Sequence, residues 1–232
     1  RGDEVTTTHG ERIKLSRPLD WLVVTDHSDA LGAMDEVVKG NPDLLKDPKA
    51  KDWHDRLAKG GDSALGATME IIETFAGITG EKIPDVLVEK NFVRSVWERF
   101  LATADAYNDP GRFSALIGYE WTSINTQEKP SNLHRVVIFK DGGDKAGRIL
   151  PFSTFDSYDP EDLWEFMANY ERESGDFVLA IPHNGNLSNG LMFSVESNDG
   201  KPYMPDLLIS MAEILREEGR PRLRRGEQRE RP

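Results

Sequence analysis

Short apolar runs that end in a histidine or a carboxylate constrain the fold of this 232-residue chain more than any other feature. The first run, residues 21–25, is rich in β-branched side chains and is typical of a strand covered on both faces. Asp26 and His27 follow it directly. In α/β folds the carboxyl ends of parallel strands converge on one face, where functional residues lie. The pattern therefore predicts an α/β fold with a site at the strand ends.

Three further apolar runs carry the same residue types at their ends. They are residues 114–121 with Glu120, residues 133–139 with His134, and residues 177–181 with His183 close behind. His134 lies near the start of its run rather than at the end. An antiparallel hairpin between the runs of Glu120 and His134 would place the end of one strand beside the start of the next. We therefore expect Glu120 and His134 to share one rim of the sheet.

The remaining segments are predicted to be mainly helical. Residues 35–80 are broken by glycine and proline, with residues 64–75 as the best helix, and a longer amphipathic helix follows Pro84. We interpret residues 35–110 as a helical cap or insertion on an α/β domain that spans residues 1–218. The Arg-rich residues 219–232 have almost nothing to bury and are predicted to be a disordered tail.

Composition excludes several classes of function. The chain has no cysteine, which excludes disulfides, thiolate catalysis and Cys-type zinc sites. Its formal net charge of -12 argues against a nucleic-acid partner. The apolar runs fall far short of the roughly 20 residues that a membrane helix needs. A small-molecule substrate is the expected partner, and both the cytoplasm and the periplasm suit a cysteine-free chain.

The histidines and carboxylates at the strand ends predict a metal site. Neutral imidazole and carboxylate are ligands that suit zinc, manganese or iron. The candidate ligands of this divalent metal are His27, Glu120, His134, His183 and Asp26, of which Asp26 would either bind metal or orient His27. The candidate catalytic residues are Asp26, His27, Glu120 and His183. The candidate substrate-binding residues are Asn184, Asn186, Asn189 and Arg135.

A structural explanation of the same residues stays open. A single histidine at a strand end is more often a hydrogen-bonded structural residue than a ligand. Glu120 could equally be a buried carboxylate paired with Arg135 or Arg112. The other two histidines, His9 and His54, lie in polar stretches and are predicted to be surface residues.

Four segments resemble known families in the expected order. Thr25-Asp26-His27 resembles the second motif of the PHP (polymerase and histidinol phosphatase) superfamily, and Gly118-Tyr119-Glu120 resembles its strand-end glutamate. His134 before an apolar run and Ile181-Pro182-His183 follow. More narrowly, residues 17–27, 118–122, 132–139 and 181–190 closely resemble DUF3604, a PHP-like family of unknown specific function. The similarity covers about residues 1–210.

The resemblance implies a distorted, TIM-like (β/α) barrel with a multinuclear metal centre that hydrolyses a phosphoester or a related bond. It gives ligand positions to His27, Glu120, His134 and His183, and it includes Asp26 in the motif that carries His27. Two motifs of the superfamily have no counterpart in the chain: a His-x-His pair on the first strand and an Asp-x-His pair on a late strand. We therefore expect a partial barrel in a fragment that holds metal weakly, with few ligands.

Three functions are compatible with the sequence. The first is a metal-dependent hydrolase of the phosphoesterase kind, and the second is an amidohydrolase-like enzyme that cleaves C–N or C–O bonds. The third is a non-catalytic binding or structural domain. For either enzyme, substrate specificity would lie in the helical region 35–110 and the loop 122–131.

Overall fold

A computed structural model describes residues 2–125, 131–197 and 200–201. Residues 1–192 form one compact unit, and the architecture and the site described below belong to it. A second unit begins at Phe193, and in it the Ser197 N–H donates a hydrogen bond to the Lys201 carbonyl at 2.8 Å. The predicted disordered tail, residues 219–232, lies outside the described residues. The described helices include none with the length and hydropathy of a membrane span.

The fold is mixed α/β, which confirms the predicted class. The strands are β1 Val5–Thr6, β2 Arg12–Ile13, β3 Trp21–Val24, β4 Ser114–Trp121, β5 Ile124–Asn125, β6 Ser131–Asn132, β7 Arg135–Phe139 and β8 Val178–Pro182. The helices are α1 Ala33–Lys39, α2 Pro48–Lys59, α3 Gly61–Phe75, α4 Asp85–Val88, α5 Lys90–Tyr107, α6 Gly143–Ala146 and α7 Pro160–Ser174. Short 3-10 turns lie at Ser28–Ala30 and Leu44–Lys46.

The main sheet has four strands in the order β3-β4-β7-β8. Strand β3 is parallel to β4, whereas β4 with β7 and β7 with β8 are antiparallel. Glu120 pairs with Val136, so the predicted hairpin between the two runs is confirmed. Across the described residues this sheet is open, with β3 and β8 at its edges. The closed barrel therefore stays a prediction.

One face of the sheet carries the larger of two hydrophobic cores. Tyr119 and Trp121 of β4 and Val137 and Phe139 of β7 point to this face and are almost completely buried. Helix α5 packs against them, with Trp97 edge-on to Tyr119 at a centroid distance of 6.2 Å. Because side chains alternate along a strand, Glu120 points to the opposite face.

Strand β3 differs from its sequence-based prediction. Its position was predicted correctly, but the predicted coverage of both faces is wrong: Trp21 is 60% exposed and Val24 52% exposed. The physical reason is that neither hydrophobic core includes a side chain of β3, so no packed layer covers its faces among the described residues. An apolar run indicates a strand, but the elements that cover it come from elsewhere in the chain.

The helices between β3 and β4 form the second core. It is built around Trp53 of α2, which is fully buried, and Ile71 of α3. The helix expected after Pro84 is divided in two at Glu89, whose backbone is extended. The Glu89 carboxylate accepts hydrogen bonds from the backbone N–H groups of Asn91 and Phe92 and so begins α5 as its N-cap. Whether this region acts as a cap stays a prediction.

Candidate metal centre

Each of the four strands of the main sheet places one predicted ligand at the same rim. His27 follows β3, Glu120 lies near the end of β4, His134 precedes β7 and His183 follows β8. The backbone fixes their alignment, because His27 bridges to Glu120 and the His183 N–H donates to the His134 carbonyl at 3.0 Å. The strand order therefore converts four positions distant in sequence into one continuous row.

Glu120 is the centre of this row. Its Oε2 lies 3.3 Å from His27 Nε2, and its Oε1 lies 3.1 Å from His134 Nδ1 and 3.8 Å from His183 Nε2. Burial raises the pKa of the Glu120 carboxyl, but the His134 hydrogen bond and the charges of the three imidazoles outweigh it and hold the pKa below its ordinary value. The carboxylate is thus the charged form that a metal needs.

His27 is the exposed member of the row, and a second carboxylate supports it. Its side chain is 57% exposed, and its Nδ1 lies 3.7 Å from Asp29 Oδ1. Asp29 is buried in the 3-10 turn, and this burial raises the pKa of its carboxyl despite the nearby His27 and His134. Oδ1 of Asp29 has no hydrogen-bond partner among the described residues. The carboxylate is therefore available to orient His27.

His134 and His183 complete the row with unsatisfied nitrogens. His134 is 5% exposed, and its ring centroid lies 5.3 Å from that of His27 and 6.1 Å from that of His183. Within the part of the chain that the structure describes, Nε2 of His134 and Nδ1 of His183 are buried without a hydrogen-bond partner. Buried polar atoms are rarely left unpaired, because desolvating them costs about 1–3 kcal/mol.

Asp26, the fifth predicted ligand, lies beside the row but outside it. The Asp26 backbone carbonyl accepts a hydrogen bond from the Glu120 N–H at 2.9 Å. Asp26 as a whole is exposed to solvent. Among the described residues, the side chains whose ligand atoms all lie within 4.8 Å of one another are those of His27, Glu120 and His134. A role for Asp26 as ligand or catalyst stays a prediction.

Of the predicted substrate-binding residues, Arg135 is turned away from the row, and a substrate-binding role for the three asparagines stays a prediction. The Arg135 guanidinium is buried on the face opposite Glu120, where it donates to the Leu133 carbonyl at 2.8 Å and lies over the Trp121 ring. Asn184, Asn186 and Asn189 are exposed in the loop after His183. The Asn184 side chain accepts from the Asn186 N–H at 3.1 Å and shapes that loop.

The two arginines proposed as structural partners of Glu120 lie elsewhere. Arg135 is on the opposite face, and Arg112 pairs with Asp109 at 3.5 Å. Of the histidines expected at the surface, His9 is exposed. His54 is half-buried, and its Nδ1 lies 2.7 Å from the Val37 carbonyl oxygen, because it packs between α1 and α2.

The row fits a divalent metal. Ligands bound at about 2.0–2.2 Å lie roughly 3–4 Å from one another, and the three contacts to Glu120 fall in this range. Two imidazoles and one carboxylate are donors that zinc, manganese and iron accept. The nitrogens that face Glu120 are Nδ1 of His134 and Nε2 of His183, whereas the buried unpaired nitrogens are the other one of each ring. The fit to a metal therefore rests on the donor set and on the distances around Glu120.

Comparison with known proteins gives the chain a family. Residues 1–213 match the family described as a protein of unknown function, DUF3604. The chain belongs to this family. No curated protein and no solved structure matched it. The DUF3604 match covers all four strands of the row, so the row is part of the family domain.

Asp29 is the residue of this DUF3604 site that sequence reasoning missed. The sequence drew attention to Asp26 because it adjoins His27. The 3-10 turn Ser28–Ala30 instead brings Oδ1 of Asp29 to 3.7 Å from Nδ1 of His27. Its sequence signal was weak: a second carboxylate two residues after a strand-end histidine.

Proposed function

We propose that this DUF3604 chain is a metal-dependent hydrolase of the PHP type, acting on a phosphoester or a related ester or amide bond. One observation carries the proposal: four adjacent strands each deliver a metal-ligand side chain to one rim, around the shared carboxylate of Glu120. The proposal includes the distorted barrel of that superfamily, for which the open sheet β3-β4-β7-β8 would supply a wall.

The residues divide into ligands and supports. His27, Glu120 and His134 would hold the ion, and His183 lies next to them. A divalent metal bound there would lower the pKa of water and polarise a phosphoryl or carbonyl oxygen. The attraction between Asp29 and the N–H at Nδ1 of His27 favours the tautomer whose Nε2 lone pair faces Glu120. Hydrolysis adds the oxygen of water to the phosphoryl or acyl centre and a proton to the leaving group.

The experiment that tests the proposal is metal analysis of the purified chain. After equilibrium dialysis against Zn²⁺, Mn²⁺ or Fe²⁺ at neutral pH, which also detects weakly held metal, we expect the unsubstituted protein to bind metal above the level of the buffer. His134→Ala should lose it, whereas His9→Ala, at an exposed histidine away from the row, should retain it. Far-UV circular dichroism confirms that both variants are folded.

Retention of metal would lead to a panel of phosphomonoesters, phosphodiesters and carboxylic esters. A protein that binds none of the three metals would contradict the proposal and favour the non-catalytic alternative. Equal retention by the His134→Ala and His9→Ala variants would place the metal elsewhere.

A further inference from the structure

A cavity of about 340 Å³ opens directly beside the row. His27, Asp29 and His134 line it on the metal side, together with Asp26 and Thr122. Its volume lies within the range of small-molecule pockets. Because the candidate ligands themselves form one wall, a molecule coordinated at the row would extend into this cavity.

The opposite wall is apolar and comes from helices α1 and α3. It consists of Met34, Ile71, Ile72, Phe75 and two alanines. Met34, Ile71 and Phe75 belong to the helical core around Trp53, so a packed structure holds this wall in place. Ile72 is 54% exposed, and covering it with an apolar group would be favourable.

The charges around the cavity restrict what can enter. Two carboxylates, Asp26 and Asp29, line it, and among the described lining residues there is no lysine or arginine. A phosphomonoester carries close to two negative charges at neutral pH, and recognition of such groups usually relies on arginine or lysine. Here the metal alone would have to neutralise it.

On the basis of the proposed function, we infer that the substrate is a neutral or singly charged ester or amide with an apolar substituent. The scissile group would lie at the row, and an alkyl chain or aromatic ring would occupy the cavity against Ile72 and Phe75. A phosphodiester, a carboxylic ester and an amide share this chemistry. The helical region between β3 and β4 would thus set specificity.

The test uses hydroxamic acids of increasing length, from acetohydroxamic to hexanohydroxamic acid, titrated into the zinc-loaded protein by calorimetry. Affinity should rise about twofold to fourfold for each added methylene. Ile72→Ser and Phe75→Ala should abolish this increase. The matched control is Leu65→Ser, on the same helix and 63% exposed but away from the cavity, which should keep the increase.

Equal affinity across the series in the zinc-loaded protein would overturn the inference while the metal proposal stood. A second comparison tests the expected charge of the substrate. Singly charged methyl phenyl phosphate should bind more tightly than doubly charged phenyl phosphate, and the reverse order would overturn the expected preference for low charge.

If metal analysis fails, the proposed function falls, and the cavity is tested alone. Alcohols from butanol to octanol would then be titrated into the metal-free protein, with the methyl NMR signals of Ile71 and Ile72 as the readout. Shifts that saturate at lower concentration as the chain lengthens would support an apolar site, and their absence would overturn it.

Discussion

Strand β3 and the central pair β4 and β7 are built from the same kind of apolar sequence but lie in opposite surroundings. Tyr119 and Val137 of the central pair are fully buried, whereas Trp21 and Val24 of β3 are more than half exposed. The central strands have a neighbour on both sides, and β3 has one among the described residues. The comparison teaches that an apolar run determines where a strand forms, while its burial depends on the elements that pack on it.

The same contrast divides the candidate metal centre. Glu120 and His134 come from the central strands, and their side chains are 10% and 7% exposed. His27 and His183 follow the edge strands, and their side chains are 57% and 38% exposed. The row therefore has a buried centre that fixes geometry and two accessible ends where a ligand can approach.

The largest expected effect contrasts two tryptophans. Trp121→Ala removes a fully buried ring from the core and should lower the free energy of unfolding by about 3–5 kcal/mol. Trp21→Ala, at the exposed strand, should change it by less than about 1 kcal/mol. Urea unfolding followed by circular dichroism measures both. Equal losses would mean that β3 is covered in solution and would break the comparison.

The second prediction concerns the centre and the end of the row. Glu120→Gln should weaken metal binding more than about 100-fold, because Glu120 faces all three imidazoles. Loss of a residue that only hydrogen-bonds to a ligand typically weakens metal binding about 10- to 100-fold. His183→Ala should have the smaller effect, because its Nε2 is the most distant, at 3.8 Å from Glu120 Oε1. Competition with a chromogenic chelator gives both affinities. A stronger effect at His183 would place the metal at the exposed end.

The third prediction tests how closely the central strands approach. A Cβ at Gly118 would lie 2.7 Å from the Val137 carbonyl oxygen and 2.8 Å from Val23 Cγ2. Gly118→Ala should therefore push β4 away from its neighbours and cost about 2 kcal/mol of stability. Gly185→Ala is the matched control, since its Cβ would meet nothing nearer than 4.0 Å. An unchanged unfolding midpoint for Gly118→Ala would contradict the prediction, because it would mean that β4 can accommodate a methyl group at this position.

Much of the row could be predicted because it depends on local sequence and one hairpin. Four strand ends carried histidine or carboxylate, and antiparallel pairing of the runs of Glu120 and His134 brought two of them together. Arg135 was predicted to bind substrate, but alternation along β7 turns it to the face opposite Glu120. The sequence alone does not show which face of the sheet Arg135 lies on, because this depends on the pairing of Arg135 with Trp121.

The helical wall of the cavity could not be predicted in the same way. Ile71 and Phe75 follow an ordinary amphipathic pattern, and nothing in that pattern distinguishes a residue that lines a cavity from one that fills a core. Their place beside His27 results from the packing of α1 and α3 against α2 in one core, although α1 and α3 are separated by more than 20 residues of sequence. Long-range packing of this kind leaves no local signature.

The smallest expected effect decides which carboxylate supports the exposed end of the row. Asp29 Oδ1 lies 3.7 Å from His27 Nδ1, which is longer than a hydrogen bond. Asp29→Asn should therefore weaken metal binding by only about tenfold, the smallest effect typical of residues that orient a metal ligand. Asp26→Asn should leave the metal affinity unchanged, because the Asp26 carboxylate is not part of the cluster formed by His27, Glu120 and His134. Chelator competition gives the affinities, and ¹⁵N NMR of the His27 ring reports its tautomer, which should shift in the Asp29 variant alone. If Asp26→Asn instead weakens binding and Asp29→Asn does not, the residue adjacent to the histidine in sequence is the functional one, and the buried Asp29 is a structural charge.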